Sequence, residues 1–179
     1  MKKSQKKEAI IQTAEKLFYE HGFHAVGVKS ILNQAGVAPM TMYYHFQSKE
    51  ELIKEILTQR EKRYFRLLED EFDKGSGIHS YIQSLINAHI NWLKTAGFNG
   101  CLFLRAKQEY EGVNEEIVSL SKAHKRKLLE KMEKDLNSKS LSVQISVMLE
   151  GLTSMDQILD LDELKDTAME LSKRMQVSV

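Results

Sequence analysis

Apolar residues recur at intervals of three and four along almost the whole of this 179-residue chain, and no stretch sustains the alternation of a half-buried strand. Proline, the residue least compatible with a helix interior, occurs once, at Pro39. The expectation is an all-α fold of about nine helices. The first spans Lys6 to Glu20, with Ile10, Ala14, Leu17 and Phe18 on one face. His21-Gly22 stops it, since glycine takes the left-handed C-terminal conformation freely. Two short helices, Val28–Gln34 and Pro39–Phe46, follow. Ser48 and Glu51 then form a capping box at the start of a long helix to Asp73, ended by Gly75-Ser76-Gly77. Ile78–Ala96, Cys101–Glu111, Asn114–Leu136 and Leu141–Leu159 continue the pattern. A second capping box, Asp160 with Glu163, opens the last helix, which reaches Met175.

Several classes are disfavoured by what the sequence lacks. No apolar run approaches the ~18 residues of a membrane helix, and the basic start, Met1 to Lys7, leads into no apolar signal core. The single cysteine, Cys101, cannot form an internal disulfide and suits a reducing cytoplasm. His21 and His24 resemble a spaced pair, but Gly22 breaks the helix between them and nothing completes a metal set. No clustered acid–base or nucleophile motif supports an enzyme on a helical bundle, and no cofactor motif is present. Charge divides unevenly: residues 1–63 carry a net +4 and residues 64–179 a net −3. A basic front suits a polyanion at one end of the molecule.

Residues 28–46 have the form of a helix-turn-helix. Val28, Ile31, Leu32 and Ala35 give its first helix a buried face, Gly36 supplies the positive φ of the turn, and Val37 plugs the angle. Pro39 falls at the first turn of the second helix, where its missing N–H costs nothing. Around that helix lie Met40, Thr41, Tyr43, Tyr44 and His45, an unusual set for a bland surface. Thr41 can hydrogen-bond a base or a phosphate, and Pro39, Met40 and Tyr44 can touch thymine methyl groups in a major groove. Tyr43, His45 and Lys49 are placed for phosphates. A tyrosine-rich helix docking on a protein partner, as in an adaptor, is the rival reading. The N-terminal Lys2, Lys3, Lys6 and Lys7 read as a solvated tail.

The run Ile31–Leu52, ILNQAGVAPMTMYYHFQSKEEL, closely resembles the DNA-binding signature of the tetracycline-repressor (TetR) family. Ala14, Leu17, Phe18 and Gly22-Phe23 match that family's first helix, so the resemblance covers roughly residues 6–55. It implies an all-α homodimer, usually a repressor, that binds a palindromic double-stranded operator and is released by a small-molecule inducer. By position it puts the family's recognition contacts on Pro39, Met40, Thr41, Tyr44 and His45, its phosphate contacts on Tyr43 and Lys49, and Lys29 on the supporting helix. Two positions depart from the pattern. Val26-Gly27 stands where the family commonly has a threonine cap, and Ala38 where serine is frequent; glycine is the poorer cap.

On this reading residues 1–47 are a DNA-binding head and residues 48–179 a ligand-binding and dimerisation bundle. Leu161, Leu164, Ala168, Leu171 and Met175 form a seam that wants a partner helix. Leu141, Ile145, Met148, Leu149, Leu152 and Leu159 give the preceding helix a similar stripe. The last two helices of two subunits would therefore make the dimer interface, unless both stripes face their own core. Candidate ligand-lining residues are Tyr64, Leu68, Leu85, His89, Trp92, Phe103, Leu120 and His124, each of which can equally be ordinary core.

Overall fold

The computed structural model describes residues 3–70, 77–96 and 99–175. Among the described residues the backbone forms nine helices: α1 (Lys3–His21), α2 (Val28–Ala35), α3 (Pro39–His45), α4 (Lys49–Asp70), α5 (Ile78–Ala96), α6 (Leu102–Tyr110), α7 (Glu115–Leu136), α8 (Lys139–Met155) and α9 (Leu161–Arg174). The expected course of the long helix to Asp73, its Gly75-Ser76 stop and Lys2 lie outside the described residues. Side-chain caps account for several boundaries. The amide of Glu51 donates to Ser48 Oγ (3.1 Å), that of Ile117 to Asn114 Oδ1 (3.1 Å), and that of Leu141 to Ser138 Oγ (3.3 Å). The α8 helix ends at Met155, four residues before the expected Leu159. Both Ile158 and Leu159 amides donate to the Met155 carbonyl (2.9 Å each), so the chain reverses there. Asp160 then starts α9 by accepting from the amide of Asp162 at 2.8 Å.

The helices pack as two compact units, Met1–Glu61 with Leu102–Ala123, and Lys62–Cys101 with His124–Val179. Packing thus joins α6 and the start of α7 to the N-terminal helices, and α4 and α7 each contribute to both units.

In the first unit α1 packs on α2 and α3. Ile10, Phe18, Phe23, Ile31, Met42, Leu52, Ile53 and Ile56 are fully buried there, each worth about 1.5–3 kcal/mol relative to exposure. Arg60 of α4 is also buried. Its Nη1 donates to Glu15 Oε1 at 2.9 Å, and its guanidinium lies 4.9 Å from the centre of the Tyr19 ring. Paired and stacked in this way, it ties α4 to α1 without leaving an unmatched interior charge. Lys7 does likewise nearer the start of α1, meeting Glu55 at 3.1 Å and lying 5.5 Å from the Phe46 ring centre. It is therefore part of a packed helix, whereas a solvated tail was expected.

From α6, Arg105 Nη1 donates to the carbonyls of Phe18 (3.3 Å) and Tyr19 (2.7 Å). These lie in the last turn of α1, where the Phe18 carbonyl also accepts from the Gly22 amide at 2.9 Å. Glu109 Oε2 accepts from the amide of His24 at 2.7 Å, and the His24 ring bonds back to the Glu109 carbonyl. Tyr110 meets Phe23 edge-on, with ring centres 6.0 Å apart.

The second unit is built around α5, with Ile82, Leu85, Ile86, Ile90 and Leu93 against Met132, Leu136, Leu141, Ile145, Leu149, Leu164 and Ala168. This placement corrects the expected dimer seam. Leu141, Ile145, Leu149, Leu152, Leu164 and Ala168 are buried in their own core, with Met148, Leu161 and Met175 packed against it. Of the residues assigned to the two stripes, Leu159 and Leu171 remain exposed. The more strongly apolar face of each helix went to the intramolecular core, as the rival reading of those stripes had it.

Candidate nucleic-acid interface

The turn between α2 and α3 is a Schellman motif. Gly36 sits at φ 64°, ψ 35°, its amide donates to the Asn33 carbonyl (3.3 Å), and the Val37 amide donates to that of Leu32 (3.0 Å). Val37 is buried beneath the turn with Ile31 and Leu32. Ala38 is extended, Pro39 is the first residue of α3, and the Thr41 amide closes the first turn on the Ala38 carbonyl at 2.9 Å. Gly27 starts α2 with no side-chain cap, as the departure from the family pattern predicts.

Only Met42 of α3 is fully buried, and it anchors the helix in the core. Three large side chains of the same seven-residue helix face solvent: Met40 is 79% exposed, Tyr43 59% and Tyr44 65%. Apolar and aromatic surface gathered in so short a span is what a docking surface presents to a partner. Pro39 and Lys29 are exposed as well, and Thr41 is half-buried. Val28, Lys29, Leu32, Asn33, Pro39 and Tyr43 line a cleft of about 180 Å³ between the two helices.

His45 and Lys49 sit deeper. His45 packs edge-on to Tyr44 with ring centres 5.1 Å apart, and its Nε2 is buried without a hydrogen-bond partner. Lys49 opens α4 with its Nζ 5.8 Å from the centre of the Phe18 ring. Burial pulls its pKa below the usual lysine range against the opposing pull of Glu50 and Glu109. The eight residues assigned to DNA from sequence thus lie on α2, α3 and the first turn of α4. Six of them have outward or half-outward side chains along α2 and α3, and His45 and Lys49 lean on neighbouring rings.

The residues assigned to a ligand fall in both units. Tyr64, Leu68, Leu85, His89, Trp92 and His124 belong to the second unit, whereas Phe103 and Leu120 belong to the first. Within the second unit the Tyr64 ring meets those of Trp92 (5.1 Å), His89 (5.9 Å) and His124 (6.0 Å). Thr153 donates its hydroxyl to the Leu149 carbonyl (3.0 Å), which leaves its oxygen to accept from His89 Nε2–H (2.9 Å). His89 Nδ1 is then the acceptor for the Tyr64 hydroxyl (2.9 Å). Burial, assisted by the positive charge of Lys125, lowers the His89 pKa to about 3, so the ring is neutral at physiological pH.

A surface not assigned from sequence lies on α8 and the turn after it. Val143 and Val147 are exposed on α8, Gly151 follows one turn on, and Ile158 stands 76% exposed beyond the helix end. The spacing of four from Val143 through Val147 to Gly151 was there to be found, but the stronger stripe beside it masks it. No helix of the described residues is long and apolar enough to cross a membrane.

Residues 10–56 match the family described as "Bacterial regulatory proteins, tetR family". The HTH-type transcriptional regulator UidR of Escherichia coli K12 is 30% identical over 78 residues, 44% of this chain and 40% of that protein. The chain thus matches about two-fifths of the length of that curated relative. The fold is shared more widely. A TetR-family transcriptional regulator from Streptomyces coelicolor, SCO4454, superposes with a TM-score of 0.84 at 22% identity, over 96% of this chain and 94% of that one. A transcriptional regulator from Saccharomonospora viridis, solved in complex with choline, gives 0.77 at 18% identity, over 95% of this chain and 96% of that one.

Proposed function

Through residues 10–56 the chain belongs to the bacterial regulatory proteins of the tetR family, and from that premise we propose that it is a ligand-responsive transcriptional repressor acting in the cytoplasm. A homodimer binds a palindromic operator, and a small-molecule inducer releases it. The observation that carries this reading is the exposure of Met40, Tyr43 and Tyr44 on the helix that follows the Schellman turn. A major groove accepts one such helix, its polar groups bonding base edges and its apolar groups meeting thymine methyls. Two copies of α3 entering successive grooves about 34 Å apart require a two-fold protein. The relatives are regulators and not enzymes, so the helical-bundle enzyme has no support.

The division by role remains a head of residues 1–47 and a ligand-binding and dimerisation part of residues 48–179. Dimerisation uses the last two helices and the turn between them, through the exposed side chains of Val143, Val147, Ile158 and Leu171. The inducer is held by the second unit near Tyr64, Trp92 and His124. It acts through α4, whose residues 49–61 pack with the head and 62–70 with the second unit. A coupling of ~1–3 kcal/mol between the two sites makes a useful switch.

Titration of labelled duplex DNA at several salt concentrations tests the head. Tyr44→Ala should erode discrimination between sequences by about tenfold. Lys49→Ala should weaken all duplexes alike and flatten the salt slope by about one. Tyr44→Ala with unchanged affinity and preference would refute this register for α3. Wild-type protein with no salt-dependent DNA affinity would favour the adaptor reading.

A further inference from the structure

The start of α2 is held from outside the helix-turn-helix. Gly27 offers no side-chain cap, and His24, Ala25 and Gly27 of the preceding turn are exposed. Phe23 and Val26 alone anchor that turn in the core by apolar burial. Besides the bond from the Gly22 amide to the Phe18 carbonyl (2.9 Å), its polar restraints come from α6. Glu109 Oε2 accepts from the His24 amide at 2.7 Å, the His24 ring bonds the Glu109 carbonyl, and Arg105 spans the Phe18 and Tyr19 carbonyls at the end of α1. Gly22 shows how close the approach is. It adopts φ 88°, and a Cβ at that position would stand 2.8 Å from Glu109 Oε1.

We propose that Arg105 and Glu109 of α6 are positioning residues for DNA binding, fixing the α1–α2 turn in the conformation from which α2 and α3 engage a duplex. The inference rests on the DNA-binding reading above and adds residues that neither the helix-turn-helix pattern nor the family match over residues 10–56 contains. Its physical basis is pre-organisation. α1 packs on both α2 and α3, so a loosened junction has to be ordered again each time the head docks, and affinity falls by that cost. Base contacts are untouched, so the preferred sequence stays the same.

The test uses the full-length protein and the duplex that wild-type protein enriches from a random library. Glu109→Ala should lose about tenfold in affinity with its sequence preference intact, a loss the size of one or two net hydrogen bonds. The His24 amide should exchange faster with solvent. Glu109→Gln keeps an oxygen that accepts from the His24 amide and should stay within about twofold of wild type, a rescue that a loss of general stability does not explain. Wild-type affinity in Glu109→Ala, or an equal loss in Glu109→Gln, would overturn the proposal. If Glu109→Ala does not fold, Arg105→Met decides: a weakened complex with unchanged preference supports the proposal and unchanged affinity overturns it. Tyr44→Ala separates the two layers of the account. If it loses discrimination while both α6 variants bind as wild type, only the positioning role fails. If wild-type protein enriches no duplex, the DNA-binding reading fails, and the positioning role with it.

Discussion

Gly36 and Gly22 both occupy the left-handed region, at φ 64° and 88°, yet their surroundings differ. A Cβ at Gly36 would meet nothing within 4 Å, whereas one at Gly22 would press on Glu109 Oε1. Gly36→Ala should therefore cost about 1–2 kcal/mol, the dihedral strain alone. Gly22→Ala should cost more, because the Glu109 carboxylate has to leave the His24 amide. Urea unfolding of the two variants gives the order directly. His89 makes a separate prediction. Its pKa is near the ordinary ~6.5 in the unfolded chain and about 3 in the folded one, so between those values the unfolded state holds an extra proton. Folding stability should therefore fall as pH drops below ~6.5, by up to about 1.4 kcal/mol per pH unit from this residue, and this contribution should vanish above that pH. His89→Gln removes the titrating ring, and comparison of its urea unfolding with wild type at pH 7.5 and 5.0 should show a shallower loss. Equal losses would mean that His89 is not held neutral.

Among the elements, the boundaries legible in the sequence were those written in local chemistry. Gly22 and Gly36 stop helices, Pro39 starts one, and Ser48, Asn114 and Asp160 cap three more. Met42 inside and Tyr44 outside followed from the helical period. Which face of α8 and α9 meets which neighbour was not legible, because a periodic stripe says that a face is buried and not by what. Both stripes went to the core around α5, and the weaker stripe through Val143 and Val147 was left outside. The α6 clasp was hidden for a related reason. Arg105 and Glu109 stand one turn apart on α6, and long-range packing brings them to the α1–α2 turn. If the outer face of α8 joins two subunits, Val147→Asp should convert a dimer to a folded monomer, read as a halved mass in sedimentation with an unchanged helical spectrum. A dimer that survives the substitution would move the interface elsewhere.

At the scale of the whole molecule, α3 exposes methionine and tyrosine in the first unit, and α5 runs through the core of the second. A single head grips a few base pairs, and specificity of regulatory quality needs two heads set by a two-fold axis. The net positive charge of residues 1–63 favours approach to DNA but distinguishes no sequence. What sets a regulator apart from a non-specific DNA binder is therefore recognition of a particular two-fold sequence. It is tested most directly by incubating the purified protein with a random duplex library at moderate salt and sequencing what it retains. The expected result is enrichment of a palindrome with half-sites about one helical turn apart. A folded, dimeric protein that retains no sequence above background would contradict it.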